Sequence, residues 1–269
     1  MEVSPYRRSS LESPTKLDRA KVPNSIEGRW VLNLYPGAAE ATGCFVGGAR
    51  SRIGGSWWEP DPDHSAAEAA RRAWAHVRRY CAQNRLNRLG TLTYAPPFCR
   101  DPRAVRGHVG GFFRRLRVET GPLPYLWVPE LHADGERYHL HFGVGRFVHW
   151  TWIRRAWPHG LIHIKLIGDL PVGSGTVAEA RVAAGYLGKY VGKALEDGPA
   201  GLHRYRAGLH RYEVAQGFQP PCRRIVGSTL PEVLAKAVKI MGSQPAEVWD
   251  SATVEDWAAP HAVRATWAG

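Results

Sequence analysis

The chain has 269 residues, 44% hydrophobic and 22% charged, which is apolar enough for a packed core and argues against a disordered chain. Its formal charge is +12, carried by 29 arginines and only seven lysines. That excess suits a phosphate-bearing partner, because a guanidinium grips phosphate through two parallel hydrogen bonds, though a GC-rich genome also produces it; an enzyme working on small substrates through acidic groups fits such a surface least. No apolar run reaches the ~20 residues of a membrane span, the N-terminus has no apolar signal core, and the four cysteines (Cys44, Cys81, Cys99, Cys222) form no C-x-x-C pair. No membrane partner, no disulfide or cysteine–zinc framework and a cytoplasmic location are therefore expected.

Residues 1–27, polar and rich in Ser and Pro, read as a flexible tail. Arg29–Asn33 and Cys44–Trp58 carry β-prone residues broken by glycines and read as short strands or a peripheral hairpin. From Asp63 to Asn84, Ala66, Ala70, Ala73, Trp74, Val77, Tyr80 and Cys81 recur at helical spacing, with Asp63 or Ser65 available as a cap. A strand follows at Arg88–Tyr94, then a helix from Pro102 to Val118. Residues 68–117 hold twelve arginines against two acids; this stretch, with Arg114 and Arg115, is a candidate DNA-facing surface or simply a solvated charged face. Tyr125–His132 and Arg137–Gly145 read as strands joined around Asp134-Gly135, a dipeptide suited to a hairpin turn. A short helix at Thr151–Trp157, a strand at Leu161–Ile167 and an alanine-rich helix at Thr176–Leu195 complete the central part. A helix at Pro231–Met241 is the only clear element beyond. The expected division is a tail (1–27), a main domain (28–225, its motifs within about 65–220) and a C-terminal extension (226–269). There is no phosphate loop of the G-x-x-x-x-G-K-[ST] type, so no built-in ATP-driven helicase is expected.

Within Arg137–Gly145, strand alternation puts His139 and His141 on one face and Tyr138, Leu140, Phe142 and Val144 on the other, the latter facing the core. A turn centred on Asp134-Gly135 sets Glu130 opposite His139, on the histidine face and about 5 Å away between Cβ atoms. Two imidazoles and a carboxylate then converge as a facial ligand set with open positions, suited to a divalent ion that also holds a substrate oxygen. A longer loop that shifted the register would move Glu130 off this face and leave His132 as the leading alternative. The other reading is a pair of polar surface histidines.

The alanine-rich helix carries Tyr186, Lys189, Tyr190 and Lys193 on one stripe. A phenol has a pKa near 10 and is a poor nucleophile at neutral pH, but a neighbouring ammonium favours the phenolate. Attack on a phosphodiester would leave a phosphotyrosine and a free hydroxyl, and two tyrosines allow two successive transfers. The other reading is an amphipathic helix with packed tyrosines and snorkelling lysines.

Gly90-Thr91-Leu92-Thr93-Tyr94, then His139-Leu140-His141, then Tyr186-x-x-Lys189-Tyr190-x-x-Lys193 resemble, in order, the three motifs of the HUH endonucleases, in particular the two-tyrosine initiators of rolling-circle replication. Trp157-Pro158-His159-Gly160 and Arg211–Phe218 also resemble segments of such initiators. The resemblance implies an α+β fold, a central antiparallel sheet of ferredoxin-like or RRM-like type with the H-x-H strand in its middle and helices on its flanks. It implies that His139 and His141, with Glu130 as a less firmly matched third ligand, hold Mg2+ or Mn2+. Tyr186 and Tyr190 match the nucleophiles, Lys189 and Lys193 the helper lysines, and Thr91 and Thr93 the motif that supports the site and the DNA path. The implied activity is nicking of single-stranded DNA at an origin hairpin, with a host helicase and polymerase as partners. A transposase or mobilisation relaxase of the same chemistry, or a non-catalytic basic nucleic-acid-binding protein, are the competing readings.

Overall fold

A computed structural model describes residues 28–47, 62–165, 176–196, 209–255, 257 and 260–268; for residues 62–67, 165 and 192–196 it describes the backbone alone. In chain order the elements are β1 (Arg29–Tyr35), β2 (Glu40–Val46), α1 (Pro62–Asn84), β3 (Arg88–Tyr94), α2 (Pro102–Thr120), β4 (Tyr125–Leu131) and β5 (Tyr138–Val144). There follow α3 (Trp150–Ala156), β6 (Gly160–Lys165), α4 (Val177–Glu196), β7 (Glu213–Val214), β8 (Arg223–Gly227), α5 (Leu230–Met241), β9 (Glu247–Asp250) and β10 (Ala262–Thr266). The expected tail (1–27), the stretch 48–61 and the end of the expected strand beyond residue 165 lie outside the described residues.

The fold is α+β, with two antiparallel five-stranded sheets. In the first, ordered β6-β3-β5-β4-β7, the histidine strand β5 is central. Its even-numbered residues behave as alternation dictates: Tyr138, Leu140, Phe142 and Val144 are buried against Val105, Val109, Phe112, Phe113 and Leu116 of α2. Each fully buried Leu or Phe of this layer contributes about 2–3 kcal/mol. Asp101 starts α2 by accepting hydrogen bonds from the amides of Arg103 and Ala104, at 3.0 and 3.3 Å. The opposite face of the sheet is covered as well. Leu86, Leu89, Leu126 and Val128 pack under Val77, Tyr80 and Cys81 of α1 and Ala183, Ala184, Leu187 and Val191 of α4. The surface reading of the histidines is therefore corrected, since their face of the sheet is the floor of a helix-covered layer.

Two glycines let α4 come this close. A Cβ on Gly143 would sit 3.1 Å from Leu187 Cδ1, and one on Gly188 would sit 3.0 Å from the Trp74 indole of α1. The helix that carries the tyrosines is thus seated through side chains of no volume.

The second sheet, ordered β8-β1-β2-β10-β9, has no counterpart in the sequence expectation beyond a peripheral hairpin. The N-terminal strands β1 and β2 pair with each other and with β8 and β10 from the end of the chain. The expected division after residue 225 falls inside β8, and the residues assigned to an extension complete this sheet. Its core holds Trp30, Leu32, Leu34, Val263, Ala265 and Trp267 with Val233 and Ala237 of α5. Arg78 and Arg79 of α1 clasp the buried Glu40 of β2 at 2.7 and 2.9 Å and fasten this sheet to the helix.

Candidate metal centre and tyrosine pair

The β4–β5 hairpin has a four-residue loop, Ala133–Glu136, closed by the His132 amide on the Arg137 carbonyl at 2.9 Å. Gly135 takes a left-handed conformation (φ 71°), and the Asp134 carboxylate accepts the amides of Glu136 and Arg137. Two- and four-residue loops centred on the same point give the same pairing. Glu130 accordingly faces His139 across the ladder, as the two-residue turn requires.

The Glu130 Oε2 atom lies 2.6 Å from His139 Nε2 and 2.8 Å from His141 Nε2. Glu130, His139 and His141 each offer one ligand atom, all within 4.8 Å of one another, and this group could hold a metal ion. His141 is 5% exposed. Its Nδ1 meets the Thr91 hydroxyl at 3.1 Å. Donation from Nδ1–H to that hydroxyl leaves the Nε2 lone pair turned to the shared point, the tautomer a metal ligand needs. His139 has no such partner: its buried Nδ1 makes no hydrogen bond among the described residues. Its ring is held instead by His132, at a centroid distance of 4.5 Å, and by His141, at 4.9 Å. The donor set, two imidazole nitrogens and a carboxylate oxygen aimed at one point, fits a divalent cation.

His132 therefore borders the group without joining it. Burial, the neighbouring His139 and Arg137 hold its pKa below the usual imidazole value, so its ring is favoured as an uncharged wall.

The tyrosine helix lies over this centre. The Tyr190 ring stacks on His141 at 3.7 Å between centroids and 12° between planes. Tyr190 donates its hydroxyl hydrogen to the Tyr186 oxygen at 3.0 Å. Burial and the hydrogen bond with Tyr186, with the Glu130 charge nearby, push the Tyr190 phenol pKa well up. The phenols and the Glu130 group consequently share one cleft.

The other expected residues are placed less uniformly. Thr93 stands beside His139 on β3, and its carbonyl accepts the Trp157 indole N–H at 3.4 Å. Lys189 is exposed on α4, and the Lys193 side chain lies outside the described residues. Arg114 and Arg115 belong to α2, on the face of the sheet away from the histidines. The Arg115 guanidinium closes the end of α3 by donating twice to the Ala156 carbonyl, at 2.9 and 2.7 Å. Arg78 and Arg79, taken from sequence as part of a phosphate-facing stretch, are engaged by Glu40.

Two supporting features went unread. The segment Arg211–Phe218 straps the edge of β4 and the end of α1: Tyr80 donates to the Ala215 carbonyl at 3.2 Å and Asn84 to that of Phe218 at 2.9 Å. Gly160, at the end of Trp157–Gly160, has φ 154° and no room for a Cβ, which would lie 2.3 Å from the Thr93 carbonyl oxygen. A glycine directly before a predicted strand was the available signal for that close approach.

No helix among the described residues is long and apolar enough to cross a membrane. Neither curated proteins nor solved structures give a match to the chain. Residues 87–195, the span from β3 to α4 that holds every group of this centre, match the family model of the Replication-associated protein ORF2 (gene II protein type), a rolling-circle replication-associated family.

Proposed function

We propose that the protein is a metal-dependent single-strand DNA nickase and strand transferase of the HUH type that starts rolling-circle replication. The observation that carries this reading is the stack of Tyr190 on His141, which sets a phenol pair against the Glu130/His139/His141 group. Held by those three residues, Mg2+ or Mn2+ would supply Lewis acidity at the scissile phosphate and positive charge beside the phenols.

The phenols are not equivalent. Tyr186 accepts the hydrogen bond and Tyr190 donates it, and a hydrogen bond received by an oxygen stabilises the anion that develops there. Tyr186 is therefore the first nucleophile. Its oxygen bonds to phosphorus, the bond from phosphorus to the 3′ oxygen breaks, the phenolic proton passes to solvent and the departing 3′ oxygen takes one up. The 5′ phosphate stays on the protein, and the free 3′ hydroxyl primes synthesis. Tyr190 remains for the second transfer that closes the cycle. Lys189 and Lys193 add positive charge that favours a phenolate. Thr91 orients His141, and Thr93 lines the approach of the strand. Unwinding and synthesis fall to a host helicase and polymerase in the cytoplasm.

The test uses labelled single strands tiling the DNA around the gene, incubated with Mn2+ and resolved on a denaturing gel. Wild-type protein is expected to give a covalent adduct, Tyr190→Phe to retain the first cleavage, and Tyr186→Phe to lose it. An adduct formed by the Tyr186→Phe, Tyr190→Phe double variant would overturn the nucleophile assignment.

A further inference from the structure

The second sheet lies outside the residues that match the replication-associated family, and its register lines up an unexpected set of side chains. Arg224 pairs with Asn33, Asn33 with Thr42, Thr42 with Arg264, and Arg264 with Trp249. Directly paired residues share a face, so these five form one row across all five strands. With strands about 4.8 Å apart the row is about 19 Å long. Arg224 is exposed, and the other four are half-buried.

This is the face that α1 meets at one corner, where Arg79 donates to Thr42 Oγ1 at 2.9 Å. Its acids are few. Glu40 is neutralised by Arg78 and Arg79, and Glu247 stands at the far corner, paired with Thr266. Arg264 and Arg224 have no ion pair among the described residues, and Arg29 adds a further charge at the edge strand β1. The row thus combines arginine forks for phosphates, an amide and a hydroxyl for base edges, and an indole for a base plane. An indole and amides set on an open pleated face suit unstacked bases rather than a closed duplex, whose base planes are hidden.

We infer that this face of the second sheet is a binding surface for single-stranded DNA, with Arg224 and Arg264 on the backbone and Trp249 stacked on a base. It needs neither an ion nor the tyrosines, so it stands apart from the nickase reading and is tested apart from it.

The experiment uses the full chain in EDTA, an oligothymidylate of about 15 nucleotides and fluorescence anisotropy over a salt series. Arg224→Ala with Arg264→Ala is expected to weaken binding at least about tenfold and to lower the slope of log affinity against log salt by about 1.4, since each phosphate contact on a single strand contributes about 0.7. Trp249→Ala is expected to weaken binding about tenfold while leaving affinity for an abasic oligomer of the same length unchanged. Arg264→Lys keeps the charge and is expected to keep the slope. Arg224 is exposed at a sheet edge, so Arg224→Glu should fold normally and must lower affinity by itself. Folded variants with wild-type affinity and slope would overturn the inference. So would a duplex that binds as tightly as the single strand and loses as much in the same variants.

Discussion

Replacing Glu130 by alanine removes the one oxygen on which both imidazoles converge, at 2.6 and 2.8 Å. Without added metal, the loss of two half-buried hydrogen bonds should lower stability by about 1–3 kcal/mol. With Mn2+ at about 100 times its dissociation constant, the wild-type protein gains about 2.7 kcal/mol. At roughly 2–4 °C per kcal/mol for a chain of this size, that is a rise in Tm of about 5–10 °C. Glu130→Ala should lose nearly all of the rise, because two imidazoles without a carboxylate bind a hard divalent ion weakly. His139→Ala and His141→Ala should lose it too. The assay is differential scanning fluorimetry with and without Mn2+, with strand cleavage measured in parallel. An equal Mn2+-induced rise in the wild type and in Glu130→Ala would place the ion elsewhere and refute the assignment of this group.

Thr91→Val keeps the shape of the site but removes the hydroxyl partner of His141 Nδ1. Metal affinity, read from the Mn2+ dependence of Tm, should fall about 10- to 100-fold, with metal-free stability lower by only about 1 kcal/mol. Glu40→Gln leaves Arg78 and Arg79 packed without a counter-charge and should cost about 3 kcal/mol in a denaturant titration. The same residue gives a pH signature. Burial alone would raise the Glu40 pKa, but the hydrogen bonds and charges of Arg78 and Arg79 outweigh it and hold the carboxyl below the ordinary range. Its contribution is therefore complete above the unfolded pKa near pH 4 and is lost as pH falls through the lower folded value. Subtracting the Glu40→Gln stability profile from the wild-type one should show a difference that shrinks on acidification below about pH 4, and a constant difference would contradict the clasp.

The centre was legible where local rules determine geometry. Alternation in Tyr138–Val144 assigns the faces, and the position of Asp134-Gly135 sets the pairing of Glu130 with His139; both are local properties and both are present. The four-residue loop replaced a two-residue one without harm because register depends on where the loop is centred. Burial of the histidine face was not legible. Alternation tells which side a residue occupies, but the cover comes from α4, and the contacts that seat it pass through Gly143 and Gly188, which carry no apolar signal. The second sheet was hidden for another reason. Its pairs join β1 with β8 and β2 with β10, and short strands so far apart in sequence give no local sign of their partners. Arg78 and Arg79 were misread as free phosphate contacts because Glu40 reaches them only through that long-range pairing.

Helix α1 ties these two results together. Trp74, against which Gly188 of the tyrosine helix is packed, and Arg78, which holds Glu40 of the second sheet, are one turn apart. The Arg78 guanidinium lies 5.7 Å over the Trp74 ring. Glu40, Arg78, Trp74 and Gly188 thus form an unbroken chain of contacts from the basic sheet face to the helix that bears the phenols. An interface built this way fixes the relative position of the two surfaces rather than leaving it to a linker. A single strand held along the row from Arg224 to Trp249 would then be presented to the cleft at a set offset, and the sheet, not the cleft alone, would decide which phosphate meets Tyr186.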